Sequence, residues 1–225
     1  MTAVWDKVAK LAEAIETRFK ETGDSYSSNT HDYNWYNSLY TSDRYRRAHV
    51  EIVDFRETHN IYILHVTVFP HYHDSSPIWG FDAVCGPNKI TGAFHDFSAA
   101  GDKDHPMMTK FGDIAKTYQW NKPRDLPAWA SAIFSPNMIA AGNVREGEEL
   151  DVLCDIALKS LDYYLSTVGD TQQSGADYHM AHNRYCHYQK QNPHVVRSMI
   201  AMGVPEHTIK KFVQEVLFPE VEYIS

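Results

Sequence analysis

Three consecutive segments, residues 49–55, 61–69 and 78–85, each set an ionisable side chain among apolar neighbours: Glu51, His65 and Asp82. Their connectors constrain how the segments can pair. Folding back at residues 56–60, centred on Thr58, sets Glu51 opposite His65. Folding back at residues 70–77, centred near Asp74, sets His65 opposite Asp82, and a tight turn at Gly86-Pro87 sets Asp82 opposite Thr91. Directly opposed residues of an antiparallel pair share a face, with Cβ atoms about 4.5–5.5 Å apart. The sequence thus predicts a line of Glu, His, Asp and Thr across one face of a meander. A slip of one residue in register would move a member to the other face. Burying such groups among Ile, Val, Phe and Trp costs several kcal/mol unless they pair. Paired, they form either a structural hydrogen-bonded set or a site for proton chemistry, and three in register favour the site. Burial raises the carboxyl pKa of Asp82 and a neighbouring protonated imidazole lowers it, so the pair titrates as a unit.

Around the meander the periodicity is helical. Val4, Val8, Leu11, Ile15 and Phe19 mark one face of a helix ending before Gly23. Residues 25–37 read as irregular, strands are expected near 45–55, 61–69, 78–85 and 89–97, and a further one near 132–140. Residues 101–130 read as loop and short helix. Leu150, Leu153, Ala157, Leu161 and Tyr164 mark a second long helix. A third is expected over 174–191, stopping before Pro193, and a last one follows Pro205. The pattern predicts an α+β fold, a three-layer α/β/α sandwich whose central antiparallel sheet is flanked by helices. No repeat or linker divides residues 1–225, so one domain is expected.

The net charge of −8 argues against a nucleic-acid partner. Basic islands at Arg44, Arg46 and Arg47 and at Lys210-Lys211 offer places for an acidic protein to dock. The start, Met-Thr-Ala-Val-Trp-Asp, lacks the features of a signal peptide, and no stretch approaches the ~18 apolar residues of a membrane span. Three dispersed cysteines, Cys85, Cys154 and Cys186, fit free thiols in a reducing cytoplasm. The expectation is a cytoplasmic monomer with no membrane attachment. His179, His182 and Cys186, and the run His71-x-His73-Asp74, match no closed zinc set, so no metal is expected. Glycine-rich nucleotide loops and the Gly-x-Ser-x-Gly elbow are absent. Tyrosines and tryptophans, 14 and 5 of them, supply either core or the walls of a pocket for a large flat ligand.

The run Ile63-Leu64-His65-Val66-Thr67-Val68-Phe69-Pro70, followed by Pro77-Ile78-Trp79-Gly80-Phe81-Asp82, resembles the ferredoxin-dependent bilin reductases. The likeness continues through Arg124-Asp125-Leu126-Pro127-Ala128-Trp129 and Arg184-Tyr185-Cys186-x-x-Gln189-x-x-Asn192 to Val216-Leu217-Phe218. The resemblance implies reduction of biliverdin IXα with electrons from a reduced [2Fe-2S] ferredoxin, through radical intermediates and with no bound cofactor. His65 and Asp82 match the family's proton-donating pair, and Glu51 matches the carboxylate serving a terminal vinyl group in the phycocyanobilin-forming branch. The spacing from Glu51 to His65 is two residues longer here. Thr91 and Arg124 match residues near bilin propionates, a role suited to the guanidinium fork. After Asn192 the phycocyanobilin-forming branch carries Asp-Lys, whereas this chain has Pro193-His194. His194 replaces the lysine only in part, being largely neutral near pH 7. That change is similar to a phage-encoded branch making phycoerythrobilin, which is the product expected here, with phycocyanobilin the alternative. The residues also admit a bilin or haem carrier, or an interaction protein whose buried pairs fix register.

Overall fold

The computed structural model describes residues 3–28, 33–101 and 103–221, with backbone alone for residues 25–28. Helix α1 (Val4–Thr22) follows the predicted stripe and buries Val4, Val8, Leu11, Ile15 and Phe19. Each such side chain contributes roughly 1.5–3 kcal/mol when withdrawn from water. Seven antiparallel strands follow: β1 (Asp24–Ser28), β2 (Tyr36–Thr41), β3 (Tyr45–Phe55), β4 (Ile61–Pro70), β5 (Ile78–Cys85), β6 (Ile90–Ser98) and β7 (Ile139–Ala141). Their order in the sheet is their order in the chain. A one-turn helix α2 (Arg56–His59) joins β3 to β4, closed by Asn60 at φ 52°, a left-handed conformation that asparagine tolerates.

Helices α3 (Pro106–Ala115) and α4 (Ala128–Ser131) precede β7, and α5 (Glu148–Thr167), α6 (His179–Gln189), α7 (Pro193–Ala201) and α8 (Glu206–Phe212) follow it. The last continues as a π-helical turn over Val213–Leu217. Strand alternation divides the sheet into two faces. Ala48, Val50, Leu64, Val66, Val68, Trp79, Phe81 and Phe97 pack with α1, α3 and α5 in one core. Val53, Phe69 and Ile78 pack with Tyr185, Met199, Ile209, Phe212 and Phe218 in a second. This is the predicted α/β/α sandwich.

Three local expectations change. Residues 25–37 are not wholly irregular, because β1 and the start of β2 occupy both ends of that stretch, with residues 29–32 outside the described residues. Its polar, serine-rich composition hides β1, which at the edge of the sheet pairs on one side only. The strand expected near 132–140 is confined to Ile139–Ala141, because Ser135 bonds through its amide and hydroxyl to Asp96 and holds the preceding loop off the sheet. The helix expected over 174–191 is shorter, α6 beginning only at His179 and stopping before Pro193 as expected, and a further helix begins at Pro193 itself. Proline fits the first helical position, and the Asn192 side chain accepts from the His194 amide at 3.0 Å as the N-cap.

Candidate active site

The register of β3, β4 and β5 sets Glu51 opposite His65 and His65 opposite Asp82, as the connectors predict. The next step differs: Asp82 faces Phe94, not Thr91. The loop after β5 is longer than a turn at Gly86-Pro87, with the Gly86 amide bonded to the Lys89 carbonyl at 2.8 Å and Cys85 paired with Ile90. The register shift there displaces Thr91 to the exposed rim, where its hydroxyl donates to the Val84 carbonyl at 3.0 Å. One pleat along lies a second row that the sequence reading missed: His49 opposite Thr67, Thr67 opposite Gly80, Gly80 opposite Asp96. Stepping two residues from Glu51, His65 and Asp82 finds its first three members, whereas Asp96 follows only from the observed pairing of Asp82 with Phe94.

Both rows end on a cavity of about 440 Å³ between the sheet, the 124–138 segment and the C-terminal helices. That volume lies in the range of sites for small organic ligands. His65, Thr67, Asp82 and Asp96 line it from the sheet, and Tyr185, Gln189, Asn192 and His194 from the opposite wall. Arg124 and Thr91 stand at its exposed mouth. The Arg124 guanidinium lies 5.8 Å from the centre of the Phe94 ring. A Cβ on Gly92 would come within 2.7 Å of it, so glycine keeps that place open. Two expected site residues lie outside the lining. Glu51 is buried beside His65, and Pro193 is an exposed residue that starts α7.

Burial dominates the electrostatics. It pushes the Glu51 carboxyl up to about 8, helped by nearby Asp82. Burial likewise raises Asp82 to about 7, lowers His65 to about 4 with help from Arg47, and holds His49 well below the usual imidazole value. Asp96 rises to about 6, burial outweighing hydrogen bonds from Ser135 and Ser98. His65 is therefore neutral near pH 7, and the expected lowering of Asp82 by an imidazolium does not arise. Glu51 Oε1, His65 Nε2, His49 Nδ1 and Thr67 Oγ1 are buried without a hydrogen-bond partner among the described residues. Leaving such groups unmatched costs about 1–3 kcal/mol each, a concentration of strain typical of functional sites.

The basic islands separate. Arg47 is buried and donates to the Val216 carbonyl, so it holds the C-terminal segment to the sheet and presents no surface charge. The Arg46 guanidinium lies 4.6 Å from the Phe69 ring centre and 4.5 Å from that of Tyr72, and donates to His182 Nδ1. The register shift between Tyr45 and Arg47 breaks the alternation of β3 and lets both consecutive arginines turn toward aromatic and carbonyl partners on the side of the C-terminal helices, which corrects their assignment to a docking surface. Lys210 and Lys211 are exposed on α8. Of the histidine and cysteine group on α6, His179 bonds to the Val221 carbonyl and His182 to Arg46. Among the described residues, no three His, Cys, Asp or Glu side chains form a group that could hold a metal. Among them too, no helix is long and apolar enough to cross a membrane.

The family described as ferredoxin-dependent bilin reductase matches residues 2–219. A phycocyanobilin:ferredoxin oxidoreductase of Prochlorococcus marinus is 28% identical over 193 residues, 83% of this chain and 76% of that protein. One from Gloeobacter violaceus is 25% identical over 81% of this chain and 72% of its own length. The solved structure of PcyX superposes with a TM-score of 0.70 at 26% identity, covering 96% of this chain and 99% of that one. Tomato phytochromobilin synthase in complex with biliverdin shares the fold, with a TM-score of 0.68 at 15% identity over 91% of this chain and 80% of that one. With an antiparallel sandwich, a titratable row opening on a ligand-sized cavity and a match along nearly its whole length, the chain belongs to the ferredoxin-dependent bilin reductases, a family of oxidoreductases.

Proposed function

We propose that this protein reduces biliverdin IXα to phycoerythrobilin in two two-electron steps, the electrons arriving singly from reduced [2Fe-2S] ferredoxin and the intermediates being bilin radicals. The observation carrying this reading is the opposed His65–Asp82 pair at the wall of the cavity. Asp82, raised to about 7, holds a proton it can give near neutral pH, and neutral His65 accepts or relays one beside it. Arg124 at the mouth suits a propionate, leaving the conjugated body inside. The chain supplies protons, orientation and exclusion of water. This reading includes no resident redox cofactor.

Two features support phycoerythrobilin. Glu51, matched by resemblance to the carboxylate of the phycocyanobilin-forming branch, lies outside the cavity lining, and a proton donor must come within about 3 Å of its target. The wall at Asn192 and His194 carries no acid. Phycocyanobilin remains the second reading, because relatives in the comparison bear the name phycocyanobilin:ferredoxin oxidoreductase. Anaerobic mixing with biliverdin IXα, ferredoxin and an electron source, followed by chromatography, tests both. Phycoerythrobilin as end product supports the proposal, phycocyanobilin selects the alternative, and a pigment shift without turnover leaves only a carrier.

A further inference from the structure

Gly80 forms a bare patch in the cavity floor between two hydroxyl groups. Thr67 is its partner on β4, so the threonine Cβ stands about 4.5–5.5 Å from the place of a Gly80 side chain. From the opposite wall the Tyr185 hydroxyl reaches within 3.3 Å of that same place. Thr67 and Tyr185 are 0% and 3% exposed, yet both line the cavity. Thr67 Oγ1 has no hydrogen-bond partner among the described residues. The Tyr185 oxygen accepts from Gln189 Nε2 at 2.8 Å, which leaves the phenolic proton to give. Burial raises the Tyr185 pKa, so that proton stays on the oxygen through the working pH range.

We propose that Thr67 and Tyr185 are a pair of neutral hydrogen-bond donors that bind one terminal lactam carbonyl oxygen of the bilin above Gly80. The inference rests on biliverdin as the substrate and goes beyond the His65–Asp82 chemistry. The bilin's polar groups narrow the choice. Its propionates are anions and belong with a cation at the mouth, whereas its ring nitrogens largely present N–H groups that need acceptors. A carbonyl oxygen has two lone pairs, which two converging O–H groups satisfy. The pair positions the pigment and also favours its reduction. An electron added to the conjugated system places negative charge on that oxygen, and a donor aimed at developing charge in a water-poor site strengthens as the charge grows. Gly80 is required because a methyl group there would occupy the floor against which the carbonyl rests.

The test uses the full chain with biliverdin IXα bound anaerobically and reads the lactam C=O stretches by isotope-edited infrared spectroscopy. Thr67→Val and Tyr185→Phe are near-isosteric and remove one hydroxyl each. Each is expected to move one lactam band to higher frequency, the double variant further, and Thr67→Ser is expected to restore the wild-type band. Tyr185→Phe should lower kcat about tenfold, the worth of one ordinary hydrogen bond when the added charge is spread over the whole conjugated system. Its KM should change less than about twofold, because the bond strengthens mainly after the electron arrives. Bound pigment whose carbonyl bands are unmoved in both single variants overturns the hydroxyl pair. So does a Thr67→Ser protein indistinguishable from Thr67→Val, and T67V alone decides if Y185F fails to fold. A wild-type chain that binds no biliverdin overturns the substrate reading and this inference with it.

Discussion

Asp82 stands directly opposite His65, and burial moves the two in opposite directions, the carboxyl up to about 7 and the imidazole down to about 4. Near neutral pH a proton in this pair resides on the aspartate, and the histidine is a neutral group beside it. An Asp82→Asn protein keeps the size and much of the hydrogen bonding but has no proton to give. It should bind biliverdin, accept one electron and stall as a radical visible by electron paramagnetic resonance. Full turnover by that variant would remove Asp82 from the mechanism. His65→Gln should bind normally and lose product formation by about 10²–10⁴-fold.

Glu51 carries a prediction about stability. Its carboxyl titrates near 8 in the folded chain, far above an unfolded glutamate, so between those values the folded state holds a proton the unfolded state has lost. Stability therefore falls as pH rises through that window. His65 and His95, both lowered to about 4, act in the opposite sense between about 4 and 6.5 and contribute no slope above it. Thermal unfolding should show a loss of about 1–2 kcal/mol from pH 6.5 to 8 attributable to Glu51. Glu51→Gln should remove most of that loss, leaving the part that Asp82, raised to about 7, contributes below that pH, and should leave most turnover intact. Stalled turnover in this variant would favour phycocyanobilin.

Electron delivery separates the basic residues. Reversing charge at Lys210 and Lys211, exposed on α8, should slow ferredoxin-driven turnover several-fold at low salt, leave pigment affinity nearly unchanged and lose its effect at high salt, where exposed charges are screened over about 8–10 Å or less. Arg47→Glu should instead compromise folding, read by circular dichroism, because it buries a carboxylate against the Val216 carbonyl. A salt-independent rate in the lysine variants would move docking to another face.

Asp74 is fully buried and accepts from the Ser76 amide and hydroxyl, the Thr171 hydroxyl and the Gly169 amide, tying the β4–β5 loop to the chain after α5. Asp74→Ala leaves those donors unmatched and should cost roughly 3 kcal/mol in chemical denaturation. The spectrum of bound pigment should be preserved, since Asp74 is not in the cavity lining.

The sequence displayed the first polar row because its signal is local: short connectors translate directly into register. It misplaced Thr91 because the β5–β6 loop absorbs extra residues, and a displaced register also changes which side chain is opposed. Asp96 and Thr67 went unread for a different reason. They stand one pleat away from the first row, and Gly80 interrupts their own row with no side chain at all. Arg46 and Arg47 resembled a surface island because charge along a sequence says nothing about which strand face each residue takes. The stop before Pro193 was legible, and what the periodicity left out is that the same proline, preceded by an asparagine cap, opens the next helix.

The strands are laid down in the order they are joined, so the titratable face of the sheet is complete once Ala141 has been added, while its cover comes from α6 through the π-helical turn at Val213–Leu217. A nascent or partly opened chain lacking that cover would show Glu51, His65 and Asp82 to water, with the acidities of free amino acids. The shifted values are thus properties of a docking event between two stretches of chain. Whatever lifts the C-terminal helices from the sheet would reset all three protons together.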